Sequence, residues 1–253
     1  MKVLITGASS GIGRDMAIEF AKKGYDLILV ARNEERLKKL QEETNKFNVK
    51  SEIILKDLST PDNCKSLYEE AKDIDILVNN AGFGDFGFFN ETSLDKELSM
   101  INTNITAVHV LTKLYLKDMI QKNSGKILNV ASIAGVAPGP LMATYYATKA
   151  YVLRLSEAIR EEIRKKKSKV KISVLMPGPV NTNFFNTAGV NFGITPVDSK
   201  YVAKYAVNKF LKGKFYIVPG FLIKCTKFFT KITPTPIVAK AVFIVQKKKG
   251  EIS

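Results

Sequence analysis

Lys2-Val3-Leu4-Ile5-Thr6-Gly7-Ala8-Ser9-Ser10-Gly11-Ile12-Gly13 runs from an apolar strand through a glycine-rich turn into a segment of helical period. Glycine admits positive φ and lets a ligand come close to the backbone. A helix N-terminus then offers N–H groups and a positive dipole end to a pyrophosphate. The spacing is Gly-x-x-x-Gly-x-Gly rather than the Gly-x-Gly-x-x-Gly fingerprint, so the turn alone also fits a purely structural corner.

Outward from this turn the alternation continues. Apolar runs at 2–6, 25–30, 50–55, 74–79, 125–132, 169–176 and 215–218 read as strands, and 11–23, 34–46, 61–72, 94–121, 145–166 and 198–211 read as helices. Gly24 and Gly125 each follow a helical segment, as C-terminal caps do. Apolar strands separated by helices predict an α/β protein, with a single Rossmann-like doubly wound parallel sheet covered by helices on both faces. A chain of 253 residues is the right size for one such domain. No linker divides residues 1–220, and the alternation stops beyond them. The hydrophobic share of 45% and charged share of 25% exclude global disorder.

In such a fold the end of the second strand reads the adenosine ribose, where an acid accepts from a 2′-hydroxyl and an arginine accommodates a 2′-phosphate. Here it reads Leu29-Val30-Ala31-Arg32-Asn33, with no acid and one guanidinium suited to bidentate phosphate contacts. NADP(H) is therefore expected over NAD(H). Asp57-Leu58, after the third strand, is placed to accept from the adenine amino group or to cap a turn. Tyr145 and Lys149 are four residues apart on a helical segment and share a face. An ammonium nearby favours the phenolate and brings a tyrosine towards the working range of a general acid or base. Ser132 ends the fifth strand at the carboxyl edge of the sheet, where open α/β folds place their ligands.

These residues, with Asn79-Asn80-Ala81-Gly82 after the fourth strand, Asn104, and Pro177-Gly178-Pro179-Val180-x-Thr182, stand in an order that resembles the short-chain dehydrogenase/reductase family, of the NADP-preferring Tyr-x-x-x-Lys type. The resemblance covers residues 1 to about 220. It implies an oxidoreductase that transfers a hydride between nicotinamide and a carbonyl or alcohol. On that basis Tyr145 is the general acid or base, Ser132 bonds the substrate oxygen, and Lys149 binds the nicotinamide ribose and lowers the Tyr145 pKa. Asn104 would hold a water that relays protons to Lys149. Cofactor contacts are expected from Gly7, Ser9, Ser10, Gly11, Ile12, Gly13, Arg32, Asp57, Leu58, Asn80, Ala81, Gly82, Pro177, Gly178, Val180 and Thr182, besides Tyr145 and Lys149. Ser10 stands where NADP-preferring members often carry a base, which leaves phosphate discrimination mainly to Arg32. The family also implies a homo-oligomer, a dimer or tetramer. A rival reading keeps the fold without turnover, as an NADP-binding sensor or scaffold.

Of two neighbouring decoys, Tyr146 lacks a lysine four residues later and is expected to pack or border the substrate cleft, while Asn104, followed by Ile105, is preferred to Asn102. His109 is the only histidine, with no second ligand beside it, and no metal site is expected. The loop at 183–197 carries Phe184, Phe185, Val190, Phe192 and Ile194, and Phe83, Phe86, Phe88 and Phe89 follow the Asn-Asn-Ala-Gly turn. They predict an apolar cleft for a lipophilic carbonyl or alcohol; loop packing is the other reading.

The net charge of +15 is uneven, since residues 201–253 hold eleven lysines against one acid, Glu251. Residues 221–253 read as a C-terminal basic amphipathic helical extension, with Lys224, Lys227 and Lys231 spaced among apolar residues and Lys247, Lys248 and Lys249 near the end. Across 221–249 two readings stand open, peripheral association with an anionic membrane surface and packing on the fold or a partner copy. The segment has no arginine and the fold no nucleic-acid module, so no nucleic-acid partner is expected. Cys64 and Cys225 give no disulfide framework, and no apolar leader precedes the first strand. A cytoplasmic setting is expected, with the extension touching the inner membrane surface if it binds one.

Overall fold

The computed structural model describes residues 1–181 and 197–250. Its central strand is β1 (Lys2–Thr6), buried over nearly its whole length as its apolar run requires. With β2 (Asp26–Ala31), β3 (Ser51–Leu55), β4 (Ile76–Asn79), β5 (Lys126–Val130), β6 (Lys171–Leu175) and a short last strand, β9 (Tyr216–Ile217), it forms one sheet in the order β3-β2-β1-β4-β5-β6-β9. Every pairing in it is parallel. The order reverses between β1 and β4, the switch point at which such sheets open a ligand crevice. Two further short strands, β7 (Val180–Asn181) and β8 (Val197–Asp198), pair with each other at the carboxyl side.

Side chains alternate across the strands, and the core divides accordingly. Leu4, Leu77, Ile127 and Val174 face a cluster that includes Leu67, Leu111, Tyr115 and Leu153. These come from α3 (Pro61–Glu70), α5 (Ala107–Gln121) and α6 (Ala143–Lys165). Val3, Ile5, Val78 and Leu128 face Met16, Phe20, Leu37, Val207 and Phe210, on α1 (Gly11–Ala21), α2 (Glu34–Asn45) and α7 (Ser199–Leu211). Local chemistry sets the helix starts. Asn33 caps α2 by accepting from Arg36 N at 2.8 Å, Thr60 caps α3 ahead of Pro61, and Asp198 caps α7.

One helix expected over 94–121 is in fact interrupted. α4 (Leu94–Ile101) passes through a π-helical turn, Asn102–Thr106, before α5 begins. Such turns insert one residue and re-aim a side chain, often at a functional site. Here the re-aimed residue is Asn104, which is fully buried. The fold class is the one expected from the sequence.

Beyond Gly220, α8 (Phe221–Ile232) and α9 (Thr235–Gly250) fold back over the body. Ile223 packs on the α5–α6 side of the core, so close to Gly178 that a Cβ there would lie 2.4 Å from Ile223 Cδ1. Val238 and Gln246 are buried, whereas Phe221, Phe228, Phe229, Ile232, Ile237 and Ile244 are exposed. One side of the arm packs and another stays apolar and open. Among the described residues no helix is long and apolar enough to cross a membrane.

Candidate active site

The glycine turn is built by close approach. Gly7 and Gly11 have φ of +64° and +55°, in the left-handed region that glycine tolerates. A Cβ on Gly13 would lie 2.3 Å from Asn80 Nδ2 and 2.4 Å from the Gly7 carbonyl. The turn is tied to the end of β4 by Asn80, whose Nδ2 donates to Thr6 O at 3.0 Å and Gly7 O at 3.1 Å. Thr6 Oγ1 accepts from the backbone N–H of Asn80 and Ala81, each at 3.0 Å. Ser10 precedes α1 without a side-chain capping bond, and no acid stands in the first helical turn. The positive end of α1 is thus left to a ligand.

A cleft of about 560 Å³ runs along the carboxyl edge from this turn. At one end stand Arg32, Arg36 and Lys56. Ala31 is paired with Leu55, so Arg32 and Lys56 follow side by side from adjacent strands. Arg32 is largely exposed and lies 3.7 Å from Asp57, a long ion pair in water that leaves the guanidinium available. Asp57 also accepts from Ser59 N at 3.0 Å, so it caps a turn while bordering the cleft. Lys56 bonds Ser66 at 3.1 Å and pairs with Glu70. Arg36 and Lys56 were missed in the sequence; the signal for Lys56 was its place at the end of the third strand, level with Arg32.

At the other end stand Ser132, Tyr145 and Lys149. Ser132 follows β5, accepts from Ala134 N at 3.1 Å and hydrogen-bonds the Tyr145 side chain. Burial pushes the Tyr145 phenol above the usual tyrosine range, and the Ser132 bond opposes that push. Lys149 Nζ donates to Val130 O at 3.0 Å and lies 5.9 Å from the Tyr145 ring centroid. Burial of its ammonium lowers the Lys149 pKa to about 8. The lowering of Tyr145 by Lys149 that the sequence led us to expect is not among these effects; Ser132 supplies the opposing one.

Asn104 lies behind the wall. Its Nδ2 donates to Phe83 O at 2.9 Å and Thr148 Oγ1 at 3.0 Å, and its Oδ1 accepts from Phe83 N at 3.1 Å. A Cβ on Gly82 would sit 2.8 Å from that oxygen. Asn104 therefore fixes the Gly82-Phe83 loop against α6.

Of the residues named from sequence, Gly7, Ser9, Ser10, Gly11, Ile12, Arg32, Asp57, Leu58, Asn80, Ala81, Gly82, Pro177, Gly178 and Val180 line this cleft with the Ser132 group. Gly13 and Asn104 support it from beneath. Thr182 and the aromatic loop residues Phe184, Phe185, Val190, Phe192 and Ile194 lie outside the described residues. Tyr146 borders the cleft as expected, with Gln246 from α9 beside it, and nothing in the local sequence had pointed to Gln246. His109 is exposed, away from the cleft, with Nδ1 2.7 Å from the Tyr151 hydroxyl. Among the described residues no group of three or more His, Cys, Asp or Glu side chains comes together.

Residues 1–190 match the family model for short chain dehydrogenase. The chain is 36% identical over 171 residues to a very-long-chain 3-oxoacyl-CoA reductase of Laccaria bicolor, a match covering 64% of this chain and 50% of that protein. The chain thus spans about half the length of such relatives. An 11-beta-hydroxysteroid dehydrogenase-like 4A protein of Arabidopsis thaliana is 30% identical over 250 residues, 94% of this chain and 82% of that one. In structure, a short-chain dehydrogenase from Sphingobium yanoikuyae in complex with NADPH matches with a TM-score of 0.82 at 28% identity, over 92% of this chain and 96% of that one. A short-chain dehydrogenase/reductase from Burkholderia phymatum in complex with NAD matches with the same TM-score at 25% identity, over 90% and 91%. With the parallel sheet, the glycine turn and the Ser-Tyr-Lys cluster in one cleft, these matches show that the chain belongs to the short-chain dehydrogenase family.

Proposed function

We propose that the chain is an NADP(H)-dependent oxidoreductase that interconverts a carbonyl and an alcohol on a lipophilic substrate, with Tyr145 as general acid and base. One observation carries the reading: a single cleft holds a basic rim of Arg32, Arg36 and Lys56 at one end and Ser132, Tyr145 and Lys149 at the other. When bound, NADP(H) supplies or accepts the hydride. The residues fit it chemically, since the open α1 terminus suits a pyrophosphate and the Arg32 guanidinium suits a 2′-phosphate.

In reduction Tyr145 gives its hydroxyl proton to the nascent alkoxide, and in oxidation it takes that proton back. A phenol held protonated by burial is ready as the acid. Ser132 donates to the same substrate oxygen and stabilises its developing charge. Lys149, anchored on Val130 O, orients ribose hydroxyls, while Asn104 holds the Gly82-Phe83 loop in place behind it. Two relatives named for very-long-chain 3-oxoacyl-CoA and hydroxysteroid chemistry support a lipophilic substrate.

Residues 1–220 form the cofactor-binding catalytic domain and 221–253 the extension. The open apolar side of α8, with Phe228 62% and Phe229 58% exposed, supports peripheral attachment to an anionic membrane from the cytoplasmic side. A homo-oligomer, a dimer or tetramer, is further proposed on the family resemblance alone. Truncation at 220 is a poor test, because it uncovers the seats of Ile223, Val238 and Gln246. Co-sedimentation of wild type and a Phe228→Ser, Phe229→Ser variant with anionic vesicles is cleaner, and equal partition removes the membrane. For activity, NADPH oxidation is followed across ketosteroids, 3-oxoacyl thioesters, aldehydes, quinones and sugars. Turnover of the lipophilic ketones is expected. NADPH binding with no turnover of any class supports the sensor or scaffold instead.

A further inference from the structure

We propose that Tyr146 and Gln246 form a recognition site for a second hydroxyl group on the substrate, which sets specificity among carbonyl compounds; this rests on the oxidoreductase reading above. Gln246 closes an apolar run in α9, directly before Lys247, Lys248 and Lys249. Around it α9 carries Val238, Val242, Phe243, Ile244 and Val245, and packing alone would be met by another aliphatic residue. Instead a glutamine is almost completely buried there. Burying an amide is unfavourable unless its groups are hydrogen-bonded.

Half of that requirement is met within the chain. Gln246 Nε2 donates to the Tyr146 hydroxyl at 2.7 Å, across 100 positions of sequence. Among the described residues, Gln246 Oε1 is shielded from water and has no hydrogen-bond partner. A buried acceptor without a donor bears its desolvation cost uncompensated. Both residues line the cleft that holds Ser132 and Tyr145. With Nε2 held on Tyr146, Oε1 keeps its place, and a donor that enters the cleft beside it supplies the missing bond.

Tyr146 supplies the complementary half. Its oxygen accepts from Gln246, so its own proton is left to donate. The ring cannot retreat, because it lies over Gly139, where a Cβ would be 2.0 Å from Tyr146 Cγ. It is also edge-on to Tyr145, with centroids 6.2 Å apart at 77°. The pair thus offers one donor and one acceptor at a fixed place beside the reacting end of the cleft. A hydroxyl, itself donor and acceptor, is the group that satisfies both. A site built this way rejects an analogue lacking the hydroxyl, whose binding leaves its polar groups unpaired.

The test follows NADPH oxidation by wild type, Tyr146→Phe, Gln246→Met and the double variant, on pairs of bicyclic and steroidal ketones differing by one hydroxyl at varied positions. The readout is the ratio of kcat/KM within a pair, so a general loss of activity cancels. Both substitutions keep side-chain size, and NADPH affinity reports a folded site. Wild type is expected to favour at least one hydroxylated ketone by about tenfold or more. Each single variant should bring that ratio to within about twofold, and the double variant no further, as for residues acting as one unit. A wild type indifferent to every hydroxyl, or a preference that survives both substitutions, overturns the proposal. Wild type that binds NADPH but turns over no ketone fails at the oxidoreductase reading itself.

Discussion

Ser132 hydrogen-bonds the Tyr145 side chain and favours its ionised form, while burial pushes the same phenol the other way. In the proposed mechanism the serine has two tasks in turn: its one proton tunes the phenol, then passes to the substrate oxygen when substrate is bound. Ser132→Ala should lower kcat for ketone reduction by about 100-fold or more, the usual cost of losing one donor to a developing oxyanion. NADPH affinity should change little, since the α1 terminus and basic rim are untouched. Steady-state kinetics with parallel cofactor titration checks both.

Lys149 predicts a pH dependence of stability. Its folded pKa, about 8, lies below the ordinary value of 10.5 because burial penalises the ammonium. Between these values the folded state has released a proton that the unfolded state still holds, so stability rises with pH through that window. Below about pH 8 the penalty is present in full. The stability of Lys149→Met relative to wild type should therefore decline by up to about 3 kcal/mol between pH 7 and pH 10.5. Urea unfolding of both proteins at several pH values measures it, and a constant difference contradicts the assigned burial.

Arg32 is the sole cation of the basic rim that the sequence pointed to, and its pairing with Asp57 is long. Arg32→Ala should weaken NADPH binding by about tenfold or more, the value of one charge-assisted phosphate contact, and leave NADH affinity nearly unchanged. Fluorescence titration with both cofactors reads the ratio. An unchanged ratio would shift phosphate recognition to Arg36 and Lys56.

Local pattern carried much of this molecule. The apolar runs of β1 to β6 and the Thr6–Gly13 turn are short-range features, and they led directly to the doubly wound sheet. Tyr145 and Lys149 were legible because helical spacing puts them on one face. The π-helical turn at Asn102–Thr106 was not, because no proline or glycine marks it and its reason is tertiary: Asn104 must reach Phe83 and Thr148. Gln246 was also hidden, since its partner lies 100 residues away and its place between an apolar run and three lysines marks no partner. The tail read as either membrane-binding or packed. The helices do pack through Ile223 and Val238, yet keep an exposed aromatic side.

In the proposed mechanism the proton passes through the Tyr145 hydroxyl, and Tyr145→Phe removes only that group. NADPH oxidation with the best ketone of the panel should fall by about 100-fold to 10,000-fold, the range of one general acid, while NADPH still binds within a few-fold of wild type. Turnover at the wild-type rate in Tyr145→Phe would contradict the assignment of the proton to this residue.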